Sequence, residues 1–245
     1  MRPDWRHMVR KGWAEAPTAE PGFPFGLARE GVHEIVEGAY GDAPACAGFA
    51  VASLQAARPG AVVWVSQAEA RLAHGGLSGA GLKQAGLDPG RFMLVRTRKR
   101  VDALWATEEA ARSGHAAAVV AEVSEADFTA TRRLSLVSET TGAPILLLMP
   151  YGREGATAAQ ARWRVSARPS SPNRYDARAP GRTRWRAVLE RSRNAPSAAG
   201  RVFNLEVDNE TLSLRMVPGL AAGPAPPHAP GAEDGLGEAP RRRAG

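Results

Sequence analysis

A glycine-containing turn, GAYGDAPA (38–45), joins a β-rich run to a helical run, which is where α/β proteins bind phosphate. Gly38 meets the first position of the pattern G-x-x-x-x-G-K-[ST]. The other three defining positions hold Ala43, Pro44 and Ala45. Asp42 adds a negative charge where a triphosphate would lie, and Pro44 has no amide hydrogen to donate. We therefore expect a degenerate P-loop that binds neither ATP nor another cofactor.

Other residue types used in catalysis occur without the neighbours that catalysis requires. Ser66 is not part of a G-x-S-x-G elbow, so hydrolase chemistry is not expected. Cys46, the single cysteine, lies among small residues, is interpreted as core, and excludes an intramolecular disulfide. The histidines have no metal-ligand spacing; they are His7, His33, His74, His115 and His228. We expect no catalytic residue, no metal site and no enzyme activity.

The net charge of +7 is concentrated in one segment of the 245-residue chain. Residues 1–150 carry 16 basic and 16 acidic side chains, residues 151–200 carry 11 and 3, and residues 201–245 carry 5 and 6. The middle segment therefore holds a net charge of +8, and all of its basic residues are arginines. A local excess of this size indicates a surface for an anionic partner.

Eight arginines of this segment are candidates for binding a nucleic acid or a partner: Arg162, Arg164, Arg168, Arg174, Arg178, Arg182, Arg184 and Arg186. Trp163, Tyr175 and Trp185 lie among them, and aromatic rings stack on single-stranded bases while guanidinium groups pair with phosphate. Arginines two positions apart share one strand face, so each strand is expected to carry a row. Contact with DNA or RNA, contact with an acidic protein, and simple solvation all remain open from the residues alone.

The elements that position these residues alternate up to residue 150. Strands are predicted at 33–37, 61–66, 92–96, 116–123 and 144–150. Helices are predicted near 44–57, 103–113 and 129–141, with a helical or turn-rich segment up to Leu87. Apolar strands alternating with helices are typical of a parallel sheet covered on both faces. The sequence therefore predicts an α/β fold.

After residue 150 the pattern changes to strands without helices, predicted at 162–169, 182–190, 201–207 and 211–217. They favour an antiparallel addition to the parallel sheet, its last two strands joined by a tight turn at 208–210. The polar segment 170–181 is interpreted as a mobile loop.

The two ends of the chain differ in composition from the part between them. Residues 1–30 are interpreted as a flexible arm with Trp5 and Trp13 as anchors, and 218–245 as a disordered tail. The folded domain is predicted at 31–217. No apolar run reaches the roughly 20 residues of a membrane span, so we expect a soluble, cytoplasmic protein without membrane contact.

Local details of the helices and their packing also follow from the sequence. Three residues are predicted as helix N-caps: Asp42, Asp102 and Thr129. On the helix near 103–113, Glu108, Glu109 and Arg112 are expected to face water. Three large side chains are expected between helices and sheet: Trp64, Trp105 and Phe92.

The order of elements over about residues 31–217 resembles the RecA core. Ser66-Gln67-Ala68 stands where RecA-type ATPases carry a water-activating glutamate, with Glu69 one position late, and Glu122 replaces the metal-associated aspartate. A RecA-like core with an erased P-loop resembles the ImuA family. The phrases that carry this resemblance are GVHEIVEG, QAGLDPGRFMLVR, DALWATEEAARSG and TATRRLSLVSETTG.

The resemblance implies a non-catalytic accessory protein of SOS-induced, error-prone translesion DNA synthesis. Its implied partners are ImuB, which is an inactive homologue of Y-family polymerases, RecA and, indirectly, an error-prone C-family polymerase. Single-stranded DNA is a further candidate partner. The alternative function is a cell-division inhibitor of the DNA-damage response, and an active ATP-dependent recombinase is a third hypothesis that predicts nucleotide binding.

Overall fold

The computed structural model describes residues 23–173, 175, 176, 178–208 and 214–217. The strands are β1 (Val32–Glu37), β2 (Ala61–Gln67), β3 (Phe92–Thr97), β4 (Ala116–Glu122), β5 (Ile145–Met149), β6 (Ala161–Arg168), β7 (Arg184–Ser192), β8 (Val202–Val207) and β9 (Leu214–Met216). The helices are α1 (Ala43–Ser53), α2 (Ala68–His74), α3 (Gly79–Gln84), α4 (Arg100–Arg112) and α5 (Phe128–Thr141). Short 3₁₀ turns lie at Leu54–Ala56, Pro89–Arg91 and Pro196–Ala198.

All nine strands form one sheet in the order β3-β2-β4-β5-β1-β6-β7-β8-β9. Strands β1 to β5 pair in parallel, and β6 joins them in parallel to β1. The antiparallel part begins only at the pairing of β6 with β7 and continues through β8 and β9. A mainly parallel α/β sheet with antiparallel strands at the C-terminal edge confirms the predicted fold class.

Two apolar cores lie on opposite faces of this sheet. On the face covered by α1, called the α1 face, Phe49 and Ile35 pack with Trp64 and Trp163. On the opposite face, called the α4 face, α4 and α5 cover a second core that includes Leu147 and Val119. Because both faces of β2, β4 and β5 are buried, their sequences are apolar up to the last one or two residues rather than alternating, whereas β1 also buries His33, Glu34 and Glu37.

The first described residues belong to the α1-face core and not to the arm predicted for residues 1–30. The Phe23 ring lies 5.3 Å from that of Phe203 and 6.2 Å from that of Trp163, and Leu27 is fully buried. Aromatic packing of this kind orders the chain from Phe23 onward. The remainder of the predicted arm (1–22), the tail (218–245) and most of the turn predicted at 208–210 lie outside the described residues.

The helix starts differ from the predicted caps. Asp42 is at the N-cap of α1, but its carboxylate bonds elsewhere than the helix amides. Helix α4 begins at Arg100, which puts Asp102 inside the first turn, where its charge favours the helix dipole. The cap of α5 is Asp127, which accepts from the Ala130 amide at 2.7 Å, and Thr129 lies one residue inside the helix.

The outer surface of α4 also differs from expectation. Glu108 is buried, because Arg112 and Arg133 both pair with its carboxylate between α4 and α5. Trp105 was expected between helix and sheet, but 61% of its surface is exposed. Alanines 103 and 111 take the sheet-facing positions instead, because small residues let α4 approach the sheet closely.

Candidate functional site

A cleft of about 760 Å³ opens at the carboxyl ends of the parallel strands, in a position typical of α/β ligand sites. Its walls come from α1, from the loop between α2 and α3, and from residues that follow β4 and β5. Apolar side chains such as Val51, Leu77 and Trp185 form much of the lining. The degenerate P-loop therefore forms part of a real cleft.

Two backbone amides of the turn at 38–45, those of Ala39 and Gly41, are bonded to carboxylates of the protein itself. Asp42 accepts from the Ala39 amide at 2.9 Å and from the Ala167 amide at 3.1 Å. Glu37 accepts from the Gly41 amide at 3.2 Å. Two carboxylates thus hold amides of the kind that a P-loop offers to phosphate, and their charges repel an incoming anion. The turn therefore resembles a backbone anion-binding nest in which the carboxylates of Asp42 and Glu37 take the place of a bound anion.

Burial affects the first of these carboxylates. Glu37 is at the end of β1 and is nearly inaccessible to solvent. Desolvation raises the pKa of Glu37, and the hydrogen bond from the Gly41 amide partly opposes that shift. In either protonation state, Glu37 provides no positive charge to hold the phosphates of a nucleotide.

The positions that would activate water or hold magnesium form a closed polar network. Ser66 Oγ donates a hydrogen bond to Glu122, and Gln67 Oε1 accepts from the backbone and the hydroxyl of Ser124 at 3.0 and 3.1 Å. Gln67 also donates to Glu69 at 3.4 Å. Within the described ranges, no group of three or more His, Cys, Asp or Glu side chains could hold a metal ion.

The predicted arginine rows lie on the α4 face of β6 and β7, beyond the area that α4 and α5 cover. Arg162, Arg164 and Arg168 share this face of β6, because Trp163 and Val165 point into the opposite core. Arg168 lies opposite Arg184, which lies opposite Glu206, which lies opposite Arg215. We call this surface of β6 to β9 the arginine face.

Four of the eight candidate arginines are already paired within the protein. Arg162 Nε donates to Glu34 at 2.6 Å, and both side chains are nine-tenths or more buried. Arg164 pairs with Glu190. Arg182 and Arg184 both pair with Glu206, at 2.9 and 2.6 Å. These arginines stabilise the sheet, as their carboxylate partners lie on neighbouring strands.

Glu206 is the centre of a cluster that the sequence analysis did not identify. Its carboxylate accepts from Arg182, Arg184 and, at 2.7 Å, Arg215, while only 2% of the Glu206 side chain is exposed. Burial by itself would raise the pKa of Glu206, but the three arginine hydrogen bonds outweigh it and lower the pKa. Arg215 also pairs with Asp208 at 3.2 Å, so the cluster holds three cations and two carboxylates.

The remaining candidates are distributed differently. Arg168 and Arg178 are exposed, Arg186 is partly exposed, and in the described part of the chain their guanidinium groups have no ion-pair partner. Tyr175 is 84% exposed, and Arg174 lies outside the described residues. Trp163 and Trp185 are buried in the α1-face core, so neither ring is available in this structure to stack on a base.

Two further residues singled out in the sequence are buried. Cys46 lies in the α1-face core, which confirms its interpretation as core, and burial raises the pKa of its thiol above the ordinary value. His33 donates from Nε2 to the Glu30 carbonyl at 3.0 Å, and desolvation lowers its pKa to about 4. His33 is therefore a neutral histidine built into β1.

Fold and cleft together define an α/β protein whose nucleotide-type cleft has Pro44 in place of the P-loop lysine and two turn amides bonded to the protein's own carboxylates. No family model matches the chain. Protein ImuA of Caulobacter vibrioides is 36% identical over 221 residues, which cover 84% of this chain and 88% of that protein, and a second strain gives the same values. The chain belongs to the ImuA family, which confirms the resemblance stated from its sequence.

Among solved structures, SulA from Pseudomonas aeruginosa aligns with a TM-score of 0.39 and 20% identity, over 49% of this chain and 97% of that chain. A likeness of this size carries no argument about function. None of the helices in the described ranges has the length and apolar character needed to cross a membrane.

Proposed function

We propose that this protein is a non-catalytic accessory factor of SOS-induced, error-prone translesion DNA synthesis. It would act by binding an ImuB-like homologue of Y-family polymerases and RecA, and through them would reach an error-prone C-family polymerase. Membership of the ImuA family supports a role in the damage-induced mutagenesis system of ImuA and ImuB.

The observation that carries the non-catalytic part of the proposal is the occupied turn at 38–45. Asp42 and Glu37 take the amides of Ala39 and Gly41, and Pro44 replaces the lysine. Binding a triphosphate would require displacing two carboxylates and placing four or so negative charges beside them, without a compensating cation. A protein of this design works through its surfaces rather than by turning over ATP.

Calorimetric titration with Mg-ATP tests the catalytic question. We expect no heat of binding up to millimolar nucleotide. Micromolar binding would refute the non-catalytic proposal and favour the active recombinase.

Damage-induced mutation frequency tests the cellular role. Deleting the gene should lower ultraviolet-induced mutation to the level of a strain without the ImuB-like partner, and the double deletion should be no lower. Failure to lower mutation, together with loss of division arrest after damage, would instead support the cell-division inhibitor.

A contact with single-stranded DNA is the second part of the proposal, and the arginine face supports it. Arg168 lies directly opposite Arg184 on β6 and β7; Arg184 is paired with Glu206, whereas the exposed Arg168 has no ion-pair partner among the described residues. Arg186 lies one row away and also has no ion-pair partner in the described part of the chain. A phosphate backbone would supply the missing negative charge.

A further inference from the structure

The cleft at the carboxyl ends of the strands has no role in the function proposed above. Its lining combines an apolar floor with three carboxylates, from Glu37, Glu69 and Glu122. Among the side chains that the structure describes, the basic groups in its lining are those of His74 and Arg182, and Arg182 is already paired with Glu206. The cleft therefore carries negative charge and excludes anionic ligands, but it fits a cationic group on an apolar body.

The rim of the cleft has the composition of a protein-binding surface. Tyr40 is 91% exposed at the tip of the 38–45 turn, and Tyr151, which follows β5, is 56% exposed. Exposed tyrosines around an apolar depression are typical of sites that take an aromatic anchor from a peptide segment.

One segment of this chain has the complementary chemistry. Residues 1–13, MRPDWRHMVRKGW, contain four basic side chains and one acidic one. Trp5 and Trp13 are the aromatic anchors already singled out, and Arg6, Arg10 and Lys11 lie between them. Tryptophan and arginine are the residues that most often contribute large binding energies when they enter a pocket.

The segment can reach the cleft. The described chain begins at Phe23, whose ring packs on Phe203 of β8. From Phe203 the strand runs four residues to Val207, which lines the cleft, a distance of about 13 Å. Residues 14–22 span up to about 30 Å when extended. Because the segment is tethered, it binds at a millimolar effective concentration that a separate molecule must exceed.

We propose that residues 1–13 bind in the cleft of their own chain, with a tryptophan on the apolar floor and the basic side chains against Glu69 and Glu122. The segment then occupies the place of the lost nucleotide. A partner that uses this cleft must first displace it. This inference is independent of the proposed function, because it concerns contacts within one chain and its tests require neither DNA nor a mutagenesis assay.

Limited trypsin digestion of the full chain tests the proposal, because Arg6, Arg10 and Lys11 are cleavage sites. The variant E69K places a lysine at an exposed position of the cleft and should speed cleavage at these sites about tenfold relative to wild type. The matched control is E139K on the exposed side of α5, which should cleave as wild type does. Cleavage at Arg241, Arg242 and Arg243 provides an internal standard that neither variant should change.

Equal cleavage rates in wild type and E69K would overturn the proposal. Protection that increases with protein concentration would also overturn it, because the occupant would then be the segment of a second copy.

A labelled peptide of residues 1–16 provides a second measurement on the full chain. The variant W5A/W13A should free its cleft and bind the peptide about tenfold more tightly than wild type, as removal of a tethered competitor requires. Adding E69K to that variant should abolish the gain. Equal peptide binding by wild type and W5A/W13A would refute the tethered contact, even if a partner segment of similar chemistry were later found in the cleft.

Discussion

The parallel and antiparallel halves of the sheet carry different kinds of side chain on their α4 faces. Strands β1, β2, β4 and β5 bury apolar side chains under α4 and α5, as Val119 and Leu147 illustrate. Strands β6 to β9 instead present a lattice of arginines and glutamates on that face, as Arg184 and Glu206 illustrate. Apolar burial needs a helix to cover it, whereas an ion-paired face does not. The arginine face therefore needs no helix to cover it and stays available to a partner.

In addition to the backbone pairing of β1 with β6, a buried ion pair links the two halves. Glu34 of β1 is fully buried and accepts from Arg162 of β6, and Arg153 lies 3.8 Å from its other oxygen. The variant E34Q leaves Arg162 and Arg153 without a carboxylate in a low-dielectric site. We expect a loss of about 4 kcal/mol in the free energy of unfolding, measured by urea denaturation.

The control for E34Q is E125Q, which removes an exposed partner of Arg100. It should cost less than about 1 kcal/mol. Similar effects of the two variants would mean that the contact between the halves does not depend on this pair.

The Glu206 cluster is the next largest expected effect. In E206Q, Arg182, Arg184 and Arg215 lose their common carboxylate. Because two of these arginines are about a third exposed and keep some hydration, we expect a loss of about 3 kcal/mol, smaller than for E34Q. A loss equal to or above that of E34Q would reverse this ranking of the two ion-paired sites.

The pH dependence of stability tests the parallel half alone, because His33 lies in β1. Its pKa is about 4 when folded and near 6.5 when unfolded, so the unfolded chain takes up the proton first as pH falls. The contribution of His33 to the free energy of unfolding is therefore fully present above pH 6.5 and decreases toward pH 4, by about 2 kcal/mol at pH 5. The variant H33Q should remove this slope between pH 7 and 5, and a slope that persists would assign it to other groups.

The smallest expected effect concerns the arginine face and single-stranded DNA. The variant R168A/R186A removes two cations that have no ion-pair partner among the described residues, and it should weaken binding several-fold, with a salt slope smaller by about 1.4. The control R98A removes an exposed arginine beyond β3, at the far edge of the sheet about 29 Å away. Equal binding by wild type and R168A/R186A would exclude DNA from this face and leave contact with an acidic protein or simple solvation.

Much of the fold could be predicted, because apolar runs and the polar segments that separate them indicate the strands directly. The predicted bounds of all five parallel strands agree with the structure within about two residues, and for β2, β4 and β5 the reason is that a strand buried on both faces leaves a nearly continuous apolar run. The caps were less predictable. Asp127 caps α5 instead of Thr129, and the Asp42 side chain bonds the Ala39 and Ala167 amides, choices that depend on where neighbouring backbone lies. The exposure of Trp105 depended in the same way on how closely α4 approaches the sheet.

By itself the sequence determined the α/β class, the loss of the phosphate-binding residues at 43–45, the concentration of arginine in 151–200 and the resemblance to the ImuA family. Only the tertiary structure decided which arginines are free. Glu34 and Glu206 come from outside that segment and neutralise Arg162, Arg182 and Arg184 across the sheet. The physical reason is that charge is counted along the chain but compensated through space, between strands that are distant in sequence and about 4.8 Å apart in the sheet.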